Sequence, residues 1–172
     1  MSKLQVETIS HTNNTTAQTI DSTGRILTPA RPAFRARIAG GTGGTGVNGT
    51  LVFETEDFDI GGNYNTSNGR FTAPLTGLYW LSFDSLTATD TSGSSNATTD
   101  VAHVDFQKNG TSVEGARSYA YHVGGNWQAH LVRTDILSLS ANDYITVYFG
   151  SEHAYFDNAS SYDPVFQGYL IG

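Results

Sequence analysis

The chain has 172 residues, enough for one domain or for one domain with a short appendage, and it contains no cysteine. The lack of cysteine excludes a disulfide framework, cysteine-ligated zinc, iron–sulfur clusters and a thiol nucleophile. Only 15% of the residues are charged and the formal net charge is −7, which disfavours binding to nucleic acid or to anionic lipid. With 19 glycines and 12% aromatic residues, the composition favours strands and turns over helices.

Residues 1–31 differ from the rest of the chain. Short extended pieces are separated by turn signals at Asn13-Asn14 and Ser22-Thr23-Gly24. The large apolar side chains beyond the first residue are few: Leu4, Val6, Ile9, Ile20, Ile26 and Leu27. Because so little apolar surface cannot offset the entropy of ordering the chain, we expect this segment to dock on a partner or to be shared between copies. The start lacks the apolar run of a secretory signal.

Residues 32–172 are predicted to be one all-β domain. Apolar residues alternate with polar ones in short runs that are separated by turn signals such as Asn109-Gly110 and Asn142-Asp143. The predicted strands cover residues 34–38, 49–54, 70–73, 77–83, 101–106, 129–139, 144–149 and 165–171. With no amphipathic helix of useful length, this pattern indicates an antiparallel sandwich or jelly roll.

The lengths of the connections predict a polarity for this sandwich. Tight connections at 73–77, 109–111 and 140–143 alternate along the chain with long ones at 40–49, 86–100, 119–127 and 150–163. Because successive connections alternate between the two ends, we expect the long ones to gather at one end. The N-terminal segment then enters at the opposite end, which leaves the long loops as a display surface.

Several of these runs resemble the globular head of complement C1q. The resemblance is carried by Pro32-Ala-Phe34, by residues 61–74 (GGNYNTSNGRFTAP) and by Gly77-Leu-Tyr-Trp-Leu-Ser-Phe83. Lys108-Asn-Gly110, residues 137–145 and the closing Phe166-Gln-Gly-Tyr-Leu170 follow in the same order. The resemblance implies a ten-stranded jelly roll of the kind shared with tumour necrosis factor. It also implies a tight homotrimer that packs aromatic and apolar side chains near its three-fold axis.

The N-terminal segment carries a second resemblance. Val6-Glu-Thr-Ile9 and Thr19-Ile-Asp-Ser-Thr-Gly-Arg-Ile-Leu27 are similar to the leading segments of small fibre and virion proteins of tailed bacteriophages, notably those of marine cyanobacteria. This resemblance implies a virion protein made in the host cytoplasm and carried on a tail, a fibre or the capsid surface. The apolar residues of 1–31 would then attach it to other virion proteins.

Three patterns suggest chemistry, and each has a simpler explanation. Gly41-Thr-Gly-Gly-Thr-Gly46 matches a dinucleotide-binding pattern, but a strand follows it instead of a helix, which favours a surface loop. His103 and Asp105 share one face of a strand, yet the sequence has no nucleophile elbow and no zinc-binding helix, so we expect its histidines to line subunit contacts or loop surfaces.

The third pattern is the acidic run of Glu54, Glu56, Asp57 and Asp59. We interpret it as a solvated strand edge, or as a partner for arginines of a neighbouring chain (Arg25, Arg31, Arg35 and Arg37). Several C1q-family members hold calcium through an acid followed by glutamine, whereas this chain has Asn126-Trp-Gln there. No cofactor is therefore expected, and calcium is disfavoured.

The aromatic long loops are the strongest candidates for recognition. Rigid rings beside small polar residues are typical of binding surfaces, although rings also pack between subunits, and both interpretations stay open. The candidate receptor-binding residues are Tyr119, Tyr121, His122, Asn126, Trp127, His153, Tyr155, Phe156, Asp157, Asn158 and Tyr162.

Three functions fit these observations. The first is a non-enzymatic trimeric tail or fibre protein whose apical loops bind a host-surface glycan or protein. The second is a capsid decoration or connector protein with a purely structural role. The third is a glycan-cleaving enzyme, for which Asp157 and Asp163 are the loop carboxylates to check.

Overall fold

The structure is a computed structural model that describes residues 5–14, 16–39, 48–89, 100–115, 117–122, 128–151, 154–156 and 162–172. It is all-β in these ranges, and no helix among them is long and apolar enough to cross a membrane. Three antiparallel sheets account for the strands.

The N-terminal residues form a small sheet of their own. Its strands are β1 (Thr8–Ser10), β2 (Thr16–Ile20) and β3 (Ile26–Leu27). The two turns fall where the sequence predicts them, with Asn14 at φ 66° and Gly24 at φ 85°. None of the described side chains from 5 to 31 is buried, so this sheet has no core.

Two larger sheets form the sandwich. The seven-stranded sheet contains β5 (Gly49–Thr50), β7 (Tyr64–Asn65), β8 (Arg70–Thr72), β10 (Asp100–Lys108), β11 (Thr111–Ser112), β12 (Ser118–His122) and β14 (Tyr144–Gly150). The six-stranded sheet contains β4 (Ala33–Arg37), β6 (Thr55–Ile60), β9 (Gly77–Thr89), β13 (Gln128–Leu139), β15 (Ala154–Phe156) and β16 (Val165–Leu170). The first has the order β11-β10-β14-β8-β7, with β12 also on β10 and β5 on β14. The second has the order β13-β9-β16-β4-β6, with β15 also on β9.

The core lies between these two sheets and is largely aromatic. Alternate residues of each strand point inward, as the period of a half-buried strand requires. The Phe34 ring stacks on Phe71 at 4.5 Å between centroids and meets Phe166 edge-on at 4.9 Å. Such pairs add to the stabilisation from burial itself.

Some predicted boundaries were wrong. The run 49–54 is a strand only at Gly49–Thr50, and a separate strand, β6, follows it and pairs with β4. The described residues give thirteen strands in the two large sheets instead of ten, because several are bridges of two or three residues. Parts of the predicted long loops are also strands: Leu86–Thr89 in β9, Tyr119–His122 in β12 and Ala154–Phe156 in β15.

The strand ends agree with the predicted polarity. Register places Ala88 beside Gln128, Asp100 beside His122 and Gly150 beside His103, so the strand ends that flank the long connections meet at one end of the sandwich. We call it the upper end. The tight turns lie at the opposite end, where the Ala73 carbonyl accepts a hydrogen bond from Asn142 N. The chain enters the sandwich there, with the Pro32 carbonyl bonded to Leu170 N.

Candidate functional site

An apolar row crosses the outer face of the six-stranded sheet. Cross-strand pairing sets five residues side by side: Ile60, Ala33, Tyr169, Trp80 and Ile136. The exposed fractions of Ile60, Tyr169 and Ile136 are 42%, 42% and 56%, and the Trp80 and Tyr169 rings lie 5.4 Å apart. A contiguous exposed apolar surface on an antiparallel sheet is typical of a face that another molecule covers.

The same face becomes charged towards the upper end. Asp57 pairs with Arg35 and, at 3.0 Å, with Arg37, while Arg37 Nη1 also donates to Asp163 Oδ2 at 2.8 Å. Asp57 and Asp163 therefore pair with arginines of the same chain, and Asp21 likewise pairs with Arg25. Arg25, Arg35 and Arg37 were expected to pair with acids of a neighbouring chain, and the structure corrects that expectation.

A cleft of about 300 Å³ opens in this charged region. Tyr162 and Asp163 line it together with His130, whose Nε2 lies 2.8 Å from Asp84 Oδ1. Because the Asp163 carboxylate is paired with the Arg37 guanidinium, it acts here as an ion-pair partner. Asp157, the other carboxylate of the glycan-cleavage hypothesis, lies outside the described residues.

A second cluster lies on the outer face of the seven-stranded sheet, near the upper end. Tyr119 and Tyr121 point outward from β12, with Ala120 buried between them, and their rings stack at 6.1 Å with an interplanar angle of 27°. The His103 ring, on the neighbouring β10, lies 5.9 Å from Tyr119 and 6.2 Å from Tyr148 on β14. We call these four residues the aromatic strip.

Two contacts hold the aromatic strip in place. The single Nε–H of Arg117 donates a bifurcated hydrogen bond to both oxygens of the buried Asp105 carboxylate, 2.9 Å to each, and Tyr119 interacts electrostatically with this guanidinium. Asp105 lies two residues after His103 on β10, and the two side chains share one face of the strand, as predicted. The His103 imidazole lies so close to Gly150 that a side chain there would overlap it.

The aromatic strip carries no net charge near neutral pH. Burial and the nearby Arg117 guanidinium lower the pKa of His103, against an opposing effect of Asp105, so the imidazole is neutral at pH 7. The Asp105 carboxylate balances the charge of Arg117.

The structure brings together only some of the candidate receptor-binding residues. Tyr119 and Tyr121 form the aromatic strip together with His103 and Tyr148. His103 and Tyr148 were not among the predicted receptor-binding residues, although strand alternation places all four on one face. Tyr162 precedes β16 and lines the cleft beside the other sheet, and for His122, Tyr155 and Phe156 only the strand positions are described. Five candidates lie outside the described residues: Asn126, Trp127, His153, Asp157 and Asn158.

Other sequence features have simple surroundings or lie outside the described residues. Among the described residues, no three His, Asp or Glu side chains are grouped so as to hold a metal ion. Glu56 is exposed on β6, the edge strand of its sheet, as expected for a solvated edge, whereas Asp59 Oδ1 is buried without a hydrogen-bond partner and Oδ2 accepts a hydrogen bond from Tyr64 N at 2.8 Å. His11 lies in the first N-terminal turn, where Nδ1 accepts from Asn13 N. The glycine run 41–46 and Leu4 are not among the described residues.

Comparison with known proteins identifies the fold. The globular domain of zebrafish complement 1qA protein superposes with a TM-score of 0.58 at 14% identity, over 82% of this chain and 98% of that one. No curated protein sequence matches the chain. The sequence profile of the C1q domain matches residues 33–171, nearly the whole sandwich, and the chain therefore belongs to the C1q domain family.

Proposed function

We propose that this protein is a homotrimeric recognition module that attaches a virus particle to a cell surface. The observation that carries the proposal is the apolar row, an exposed stripe of large side chains on one face of an otherwise well-packed sandwich. Association of three copies through this face would remove the stripe from water.

The polarity of the sandwich supports the attachment role. The N-terminal segment joins the end with the tight turns, whereas the aromatic strip and the strand ends that flank the long connections lie towards the other end. Its isoleucines Ile9, Ile20 and Ile26 are 48%, 36% and 65% exposed, and strand pairing places them on one face of the small sheet. Docking this face on other virion proteins would give the segment the core that it lacks.

The oligomeric state tests the first part of the proposal. We expect light scattering to give the mass of three chains for the natural protein. Ile136→Glu should give monomers, because it places an unpaired charge within the buried contact. Thr111→Glu adds the same charge on the other sheet and should leave the trimer intact. A natural protein that is monomeric at micromolar concentration would contradict the proposal.

The position on the particle tests the second part. Electron microscopy of particles that carry a gold-labelled copy should show the label on the tail or its fibres. Label distributed over the capsid would instead favour a decoration protein, and particles without label would remove the virion assignment altogether.

A further inference from the structure

The aromatic strip is available for binding even in the proposed trimer. It lies on the seven-stranded sheet, whereas the apolar row lies on the six-stranded sheet, and the hydrophobic core separates the two. We propose that the aromatic strip is a binding site for a neutral saccharide, an inference that rests on the proposed role as a recognition module.

The arrangement of the rings suits a sugar. Tyr119 and Tyr121 are 49% and 64% exposed, and their neighbouring rings lie 6.1 Å apart with planes inclined by only 27°. The face of an aromatic ring carries negative electrostatic potential, which attracts the C–H groups on the flat side of a pyranose. Two adjacent rings offer places for two successive sugar units, and the tyrosine hydroxyl groups are available to pair with sugar hydroxyls.

The rings are also held before any ligand arrives. Arg117, which interacts electrostatically with Tyr119, is fixed by its hydrogen bond and ion pair with Asp105, which is only 3% exposed. On the other side, His103 lies between Tyr119 and Tyr148 and against Gly150. Because little side-chain freedom is left to lose, binding to this surface carries a small entropic cost.

The charges favour a neutral ligand over an acidic one. The nearest cation, Arg117, already has its charge matched by Asp105 at 2.7 Å. The chain as a whole carries a formal charge of −7, which repels sulfated, phosphorylated or uronic-acid polymers. Neutral hexose units therefore fit this surface better than acidic glycans do.

Glycan binding by the full-length protein tests the inference. The probes are immobilised hexamers of glucose, galactose and mannose, with sulfated and uronic-acid oligomers for comparison. We expect binding to at least one neutral hexamer, and a weakening of about tenfold in each of Tyr119→Ala and Tyr121→Ala, as for buried aromatic anchors.

Two control variants separate ring stacking from folding. Tyr121→Phe keeps the ring and should keep most of the affinity. Tyr144→Ala removes a tyrosine from the opposite end of the same sheet, where it contacts Arg70, and should bind like the natural protein.

Three outcomes would overturn the inference: binding to acidic oligomers alone, neutral binding that survives both alanine variants, and no binding to any neutral hexamer at millimolar concentration. The protein could instead bind a cell-surface protein but no glycan, with Tyr121→Ala abolishing that binding. This result belongs to the third outcome and would make the aromatic strip a protein-binding site. None of these results changes the trimer mass or the particle labelling, so the recognition site and the assembly can fail separately.

Discussion

At the scale of single residues, the packing depends on positions where no side chain fits. A Cβ at Gly168 would lie 2.5 Å from Leu81 Cδ2 and 2.7 Å from the Trp80 carbonyl oxygen. Gly69 has φ +71°, and a Cβ there would overlap the carbonyl oxygen of Leu51. Both glycines belong to the sequence motifs that resemble C1q. Those motifs therefore contain glycine where the backbone comes too close to neighbouring atoms for a side chain to fit.

Gly168→Ala should therefore destabilise the protein. Overpacking of this kind costs about 1–3 kcal/mol, which corresponds to a lower melting temperature by roughly 2–4 °C for each kcal/mol. Gly49→Ala is the matched control, since nothing lies within 4 Å of the added Cβ and its φ is not positive. Thermal denaturation followed by circular dichroism measures both variants. Equal melting temperatures of Gly168→Ala and Gly49→Ala would show that the backbone and side chains around Gly168 shift to accommodate a methyl group at little cost.

At the scale of the elements, one carboxylate joins two tight turns. Asp143 accepts hydrogen bonds of 2.8 Å from Asn109 Nδ2 and from Ser140 N, and it pairs with Lys108 Nζ at 2.8 Å. Lys108, Asn109 and Ser140 lower the pKa of Asp143 to about 2. The lowered pKa means that the unfolded chain takes up this proton first, so the stabilisation is complete above about pH 4 and is lost as the pH falls towards 2.

Asp143→Asn should lower stability in a pH-dependent way. At pH 7 the variant should unfold at a lower urea concentration than the natural protein, and the difference should shrink between pH 4 and pH 2. Asp21, whose pKa is also about 2 because of Thr23 and Arg25, titrates equally in both proteins and cancels in the comparison. A difference that stays constant with pH would mean that the charge of Asp143 has no part in joining the turns.

Turn chemistry made some elements predictable, whereas others formed only through pairing. Asn109-Gly110 and Asn142 adopt the positive φ angles that their residue types favour, and these turns fall where the sequence indicates. Strand β12 includes residues 119–122, which were expected to belong to the long connection at 119–127. It is a strand because Tyr121 and Tyr119 pair with Val101 and His103 of β10, which local sequence does not encode.

At the scale of the whole molecule, the chain divides where the apolar residues begin to be buried. Every residue of the hydrophobic core cluster among the described residues lies between Phe34 and Phe166. The described residues 5–31 contribute none, and their sheet is held by backbone pairing and by side-chain bonds in its turns, such as the Asp21–Arg25 ion pair. The core therefore begins just after the predicted boundary at residues 31 and 32, and the division into two domains stays a prediction.

A protein of residues 32–172 should fold and melt at the same temperature as the full chain, within about 2 °C, because it keeps the entire core. It should also fail to join the particle if the N-terminal segment is the attachment site. Calorimetry and particle purification measure these two properties. An insoluble or clearly less stable fragment would show that residues 1–31 contribute to the core of the folded protein.

The sequence by itself determined the fold class, the family and the positions of the main turns, because strand alternation and turn residues act over a few neighbouring positions. Only the tertiary structure decided which side chains meet. Arg37 pairs with Asp163 across 126 positions of sequence, and Asp57 of the acidic run pairs with Arg37 of its own chain. Likewise, Tyr119 lies beside His103 only because β12 pairs with β10. Contacts of this kind depend on strand order and register, which are set by the packing of the whole sandwich.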